Sequence, residues 1–414
     1  MTSYLKSIAG LPFPVKWFLI TELLFGFGMG VWNLNLNFHL KAIGFTNFAI
    51  GNVIAAGSIA TAIISVWAGR LCDRFGYHRS MVFGCLAQGA GMAVMAAAGD
   101  SAMLIAGQLI FSAGSAFILS SEFPFIVSLV EEKYKQLVFN MLIVAYQAAM
   151  FVGNLTGGVL TGIEAGADNP YRLSIWISGL SIMLIGAGRL LLPRKRMAEH
   201  GEGKDGLATS RMRWDRKLAW FMLYIVLASL SVGLFSSMIT IICRDYFMLN
   251  EQTVGIVVSL STIGSFIAAF LAPILLARWG NERTAARVLA LNIVLLLVMP
   301  VAGAFLFISL WIARTSLVAL LPGAIYSPML MSFQDSHRGT FSGMEIFAIS
   351  LGTGAGASVS GYILTFASLP VLFLTGAAIM SIQLAVYILR CRRYLAQDSA
   401  KGGEAAVIQT AEGM

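Results

Sequence analysis

Charged residues are scarce in this chain. Of 414 residues, 28 are Lys or Arg and 20 are Asp or Glu, 12% together, where a soluble domain carries roughly 25%. The scarcity is also concentrated. Ser80–Gly99, Ser101–Ser121, Gln136–Ile163, Leu218–Cys243, Gln252–Ala277, Val288–Ala313 and Ile346–Leu389 contain no Asp, Glu, Lys or Arg. Runs of this length argue against a soluble globular chain, because about 20 apolar residues in a helix cross a bilayer. They also argue against a β-barrel, whose strands would be about 10 residues of alternating polarity. Cysteine is sparse as well. Cys72, Cys85, Cys243 and Cys391 are scattered, with neither a disulfide framework nor a metal-ligand spacing. No G-x-x-x-x-G-K-[ST] loop is present, so ATP is not expected as the chain's own energy source, and the lack of H-E-x-x-H and G-x-S-x-G weakens a membrane-embedded enzyme. No cofactor and no metal is expected.

What is present is apolar: 58% of residues, with a mean hydropathy of +0.80. The expected fold class is an all-α membrane protein. Twelve transmembrane helices are expected at 15–40, 48–69, 80–98, 101–122, 137–163, 173–193, 218–243, 253–276, 286–302, 304–331, 341–365 and 370–390. An even number puts both termini on one side. Of the 28 basic residues, 24 fall on that side, leaving Lys41, Arg172 and Arg244 opposite and Arg314 inside a span. Positive charge marks cytoplasmic loops, so both termini are expected in the cytoplasm of a bacterial-type inner membrane. The net charge of +8 then reflects orientation and contact with anionic lipid, and no nucleic-acid partner is expected. The first apolar segment is too long for a cleaved signal peptide, and eleven more follow.

Sliding the sequence by 204 residues aligns Gly51 with Gly255, Arg74 with Arg278, Gly76 with Gly280, Arg79 with Arg283 and Pro124 with Pro328. Gly157, Leu160 and Thr161 meet Gly361, Leu364 and Thr365 at the same offset. The chain therefore reads as two parallel six-helix repeats, related by an axis along the membrane normal. Expected domains are an N-terminal bundle at 1–193, a cytoplasmic linker at 194–217 resting on lipid headgroups, a C-terminal bundle at 218–393 and a cytoplasmic tail at 394–414.

Between the second and third spans stands GRLCDRFGYHRS, Gly69–Ser80. Gly69, Leu71, Asp73, Arg74 and Gly76 match the signature of the major facilitator superfamily, which the chain resembles over nearly its whole length. Tyr77 replaces a usual basic residue, and Arg79 supplies charge two positions later. The resemblance implies two pseudo-symmetric six-helix bundles rocking around a central site. It also implies a latch that closes the cytoplasmic side of the outward-facing state. Gly76 allows a tight turn, and Asp73 is placed to meet the N-terminal end of a helix from the other half. Arg74 and Arg79 are placed to pair with Glu131 or Glu132. Topology alone is the competing explanation for these basic residues. GNLTGG, Gly153–Gly158, partly resembles the exporter motif, with Asn154 in the place of its proline. Plain helix packing explains Gly153, Gly157 and Gly158 equally well. In span 4, Ile110 stands where many proton-coupled members carry arginine, and the charge falls instead on its pseudo-symmetric position, Arg314.

Ionisable residues inside spans cost roughly 3 kcal/mol each on insertion scales and are functional candidates. Four are identified: Glu22, Glu122, Arg314 and Glu345. Glu22 is expected as a protonation or cation site, the alternative being a structural acid held by a neighbouring base. Arg314 is expected either to bind an anion or to balance a carboxylate. Glu122 and Glu345 are gate or substrate residues, with Glu345 in the first turn of its span. Tyr146 and Gln147 lie mid-way along span 5. In GVWNLNLNFHLKAIG, Asn33 and Asn37 lie 40° apart on a helix at 100° per residue. They are expected to continue the polar stripe of Glu22, with Asn35 bonding a neighbouring helix. His39 and Lys41 would mark the exit to the outer aqueous region.

The expected function is secondary active transport by alternating access, coupled to protons and leaning to efflux of amphipathic small molecules or drugs, in a monomer embedded in the lipid bilayer. Uptake of a small polar nutrient is the alternative. A non-transporting membrane sensor and a membrane-embedded enzyme rank below both.

Overall fold

The computed structural model describes residues 11–163, 169–193, 215–333 and 335–396. It is helical throughout: α1 Phe13–Ala42, α2 Asn47–Phe75, α3 Tyr77–Ala97, α4 Ser101–Ser128, α5 Glu132–Ile163, α6 Arg172–Arg189, α7 Arg216–Tyr246, α8 Glu251–Trp279, α9 Asn281–Val301, α10 Ala304–Met331, α11 Asp335–Phe366 and α12 Leu369–Ala396. Eleven of these are long and apolar enough to cross a membrane. The remaining one, α6, carries an arginine at each end, which depresses its mean hydropathy. Most of the expected linker and nearly all of the expected tail fall outside the described residues.

Short polar caps start several helices. Thr46 Oγ1, Asp100 Oδ1 and Asn250 Oδ1 each accept from a backbone N–H three residues on, satisfying one of the donors that a helix start leaves open. Between α2 and α3 the chain turns on Gly76 with φ of 88°, and between α8 and α9 on Gly280 with φ of 76°. A side chain is disfavoured at positive φ. The two glycines 204 positions apart thus make the same turn.

The helices group into two compact units, Met1–Asp205 with Ser237–Ile263, and Gly206–Ser236 with Gly264–Met414. In the first, α1 packs on α5 and α6, and α3 on α4 and α6. In the second, α7 packs on α11 and α12, and α9 on α10 and α12. Each of these four pairings in the first unit recurs six helices later in the second. Large apolar side chains face outward from both units, among them Leu184 and Ile274, the inverse of a water-soluble surface and suited to lipid tails.

Close helix approach at the α1–α5 seam depends on missing side chains. A Cβ on Gly153 would strike the Phe27 carbonyl and Gly30, one on Gly30 would strike Met150 and Gly153, and one on Gly157 would meet Asn35. A Cβ on Gly158 would lie 2.8 Å from the Glu251 carbonyl at the start of α8. The same seam recurs between α7 and α11, where Gly233, Gly352 and Gly356 face backbone of the opposite helix.

α7 is not continuous. Its helix stops at Ser236, passes through a turn at Ser237 and Met238, and resumes at Ile239 before a wider π turn at Ile242–Tyr246. Asn37 Nδ2 donates to the Ser237 carbonyl at 2.7 Å and to Thr240 Oγ1 at 3.0 Å, supplying a donor to a carbonyl at the break.

Candidate functional site

In the first unit, three helices bring an arginine and two carboxylates together. Arg189, the last residue of α6, is fully buried. Its Nη2 donates to Glu22 Oε2 of α1 at 2.7 Å. Its Nη1 lies 2.8 Å from Glu122 Oε1 of α4. That oxygen is at ion-pair distance but outside hydrogen-bond geometry, so Glu22 is the better-bonded carboxylate. Arg189 Nε donates to Thr21 Oγ1 at 3.2 Å, and the guanidinium lies 4.6 Å from the Phe18 ring centre. His78 Nε2 contacts the Arg189 carbonyl at 3.0 Å.

The sequence reading counted Arg189 among the basic residues that mark topology. It is instead the centre of this cluster. Its place at a span end beside the basic linker hid it, since positive charge is expected there in any case. One guanidinium faces two carboxylates, so with all three groups ionised the cluster holds one surplus negative charge.

The cluster opens on a cavity of about 390 Å³ lined by Glu22, Glu122, Tyr146 and Gln147 among mostly apolar neighbours such as Phe25, Met29, Leu119 and Phe123. Gln88, which also lines it, donates to Ser115 Oγ at 3.2 Å. Four of the sequence candidates, Glu22, Glu122, Tyr146 and Gln147, therefore share one wall system. Asn33 is exposed and is not part of it. Asn37 spends its amide on α7. Asn35 donates to the Gly157 carbonyl at 3.2 Å across to α5, the neighbour-helix role its angular position suggests. His39 is buried rather than at an aqueous exit, between the Met95 carbonyl and Asn169.

Arg314 borders a separate cavity of about 200 Å³ within the second unit. No carboxylate pairs with it among the described residues; its guanidinium lies 4.5 Å from the Phe235 ring centre and 5.5 Å from that of Trp311. Such contacts offset part of the cost of a desolvated cation, about 0.5–2 kcal/mol each. Glu345 is half-buried. It is not in a first helical turn as expected, because α11 begins at Asp335, and the helix dipole acts only within the first turn.

In the glycine-rich connection, Asp73, Arg74 and Arg79 are exposed. Asp73 Oδ1 accepts from the Tyr77 hydroxyl at 2.8 Å. The tyrosine that replaces a basic residue thus contacts the aspartate directly. Arg74 lies 5.7 Å from the Phe75 ring centre. Among the described residues neither Arg74 nor Arg79 makes an ion pair, and the side chain of Glu132 lies outside them. A Cβ on Gly69 would meet nothing within 4 Å, so packing in this structure does not require glycine there.

At the opposite end of the first unit, the Ser237–Ile263 segment is tied down by polar contacts. Lys41 Nζ lies 2.9 Å from Asp245 Oδ2. Tyr171 donates its hydroxyl to Glu251 Oε1 at 2.7 Å. Burial, with the Glu251 carboxylate adding to it, holds the Tyr171 phenol above its ordinary pKa, so it remains a donor.

Comparisons with known proteins agree with this architecture. Multidrug resistance protein 2 of Bacillus subtilis (strain 168) is 19% identical over 329 residues, 78% of this chain and 81% of that protein. The crystal structure of the nucleoside transporter NupG superposes with a TM-score of 0.74 at 14% identity, covering 91% of this chain and 99% of that one. A bacterial homologue of the human lysosomal transporter Spinster, in an inward-facing and occupied conformation, superposes with a TM-score of 0.76 at 12% identity, covering 93% of this chain and 97% of that one. The model of the Major Facilitator Superfamily matches residues 18–313, well over half the sequence; the chain belongs to that superfamily and is a multi-pass secondary transporter rather than an enzyme.

Proposed function

We propose that this transporter couples proton movement to the export of amphipathic small molecules, with Glu22 and Glu122 sharing the transported proton. The observation that carries the reading is the charge count around Arg189: two carboxylates, Glu22 buried and Glu122 partly buried, on one guanidinium. Like charges sharing a site favour protonation of one of them. A proton neutralises the cluster, and its loss restores a negative charge that must be stabilised again by Arg189 or by a polar ligand. The cavity beside it is largely apolar and aromatic, which suits a ligand with an apolar body and few polar groups. The Bacillus relative is named a multidrug resistance protein, which supports a drug-like ligand.

Orientation follows the basic residues: both termini in the cytoplasm of an inner membrane. Setting the buried Arg189 aside leaves the imbalance overwhelming. Alternating exposure of the cavity to the two sides of the membrane, with the two units rocking, would complete the cycle. Uptake of a small polar solute is the second reading, favoured by Gln88, Tyr146 and Gln147 on the same walls.

Purified protein in liposomes under an imposed pH gradient tests both. Dye movement against its gradient, driven by inward proton flux and abolished in Glu22→Gln, is the expected result. Unchanged pH dependence in both Glu22→Gln and Glu122→Gln would remove these carboxylates from coupling. Accumulation of a polar solute in the direction of proton flow would favour uptake.

A further inference from the structure

The second unit buries a cation without an anion. Arg314 is 3% exposed, its Nε has no hydrogen-bond partner, and no carboxylate pairs with it among the described residues. The rings of Phe235 and Trp311 attract the charge, but a π face leaves the in-plane fork of N–H donors unanswered. That fork matches a carboxylate. Arg314 lines the cavity of about 200 Å³, and so does Ser231, whose buried hydroxyl is likewise without a partner. Much of the remaining wall is aliphatic, including Val232, Val318 and Met380.

We propose that this cavity binds a small aliphatic monocarboxylate, its carboxylate on Arg314 and Ser231 and its tail against Val232, Val318 and Met380. An organic cation is repelled by Arg314. A bare inorganic anion meets the guanidinium but leaves the aliphatic wall unused, and a dianion leaves one charge uncompensated in a buried site. The assignment goes beyond proton coupling and does not depend on it, since every residue it uses lies in the second unit.

Thermal unfolding of the full-length chain in a neutral detergent tests the site, with sodium acetate, butanoate and hexanoate as probes. Sodium chloride, sodium phosphate and hexylammonium chloride at equal ionic strength serve as controls. A saturable rise in Tm with hexanoate is expected, with affinity increasing from acetate to hexanoate. Arg314→Gln should abolish the shift, Arg314→Lys should weaken binding about tenfold through loss of the fork, and Ser231→Ala should weaken it several-fold. Glu22→Gln should leave it intact, which separates failure here from failure of the coupling reading. No saturable shift in the wild type, an equal shift in Arg314→Gln, or an equal shift with chloride, phosphate or hexylammonium would overturn the proposal. If Arg314→Gln does not fold, the tail-length series decides: affinity that does not change with tail length overturns it.

Discussion

Arg189 and Glu22 stand 167 positions apart in sequence and 2.7 Å apart in space. Theirs is the shorter of the two contacts that Arg189 makes with carboxylates, and both side chains are almost wholly removed from solvent. Breaking a buried pair by deleting one partner costs about 3–5 kcal/mol, because the other charge is left uncompensated. Arg189→Ala should therefore lower Tm sharply. Combining it with Glu22→Gln and Glu122→Gln should recover much of the loss, since no orphaned charge remains. A triple variant as unstable as Arg189→Ala would show that the guanidinium acts through packing on Phe18 rather than through charge.

The two carboxylates should respond differently to neutralisation. Glu22 holds a hydrogen bond to Arg189, whereas Glu122 contributes an unaligned contact and surplus charge. Glu122→Gln should leave the unfolding free energy unchanged or raise it, and Glu22→Gln should lower it by about 1.5–3 kcal/mol, the range for hydrogen bonds to charged groups. Detergent unfolding curves of the two variants check the order.

Two glycines of the expected sites should separate by position. Gly153→Leu forces a side chain into the α1–α5 seam, where backbone cannot retreat, and should abolish folded expression. Gly69→Ala meets no neighbouring atom and should express and unfold like the parent. Any transport defect of Gly69→Ala would then belong to another conformation of the cycle.

Asp73 and Tyr77 allow a test of the latch. Both sit toward solvent, so their hydrogen bond contributes about 1 kcal/mol or less. If the Asp73 carboxylate serves a partner in another state, Asp73→Asn should slow transport and Tyr77→Phe should not. Equal slowing by both would assign the effect to the local Tyr77–Asp73 bond.

Lys41 and Asp245 form a pair that is about one-third exposed, worth roughly 0.2–1 kcal/mol. Lys41→Asp should weaken the hold on the Ser237–Ile263 segment, measurable as faster proteolysis or amide exchange there. The swap Lys41→Asp with Asp245→Lys should restore protection.

The parts of this molecule that were legible in sequence are those set by local composition or by a fixed offset. Charge-free runs marked the helices, the 204-residue offset marked the repeat, and Gly76 announced its turn. Asn35 could be assigned to a neighbouring helix because angular position on a helix is a local property. Arg189 was illegible for the opposite reason. Its partners lie on α1 and α4, and a basic residue at a span end already has a sufficient explanation in topology. Asn37 was read with Asn33 as one stripe, yet one holds α7 and the other is exposed, because the neighbour that each meets is a tertiary fact. Glu345 was placed in a first turn because hydropathy finds where a helix enters lipid, not where it begins.

The interruption of α7 at Ser237 and Met238 falls where the chain passes from one compact unit to the other. An unbroken helix there would behave as a stiff strut and resist any change of angle between its two ends. A break confines bending to two residues, and the Asn37 amide holds the turn and the chain just after it, at the Ser237 carbonyl and Thr240 Oγ1. Asn37→Ala should thus loosen a pivot rather than empty a binding site, altering how readily the transporter changes state while leaving its ligand affinity in each state alone.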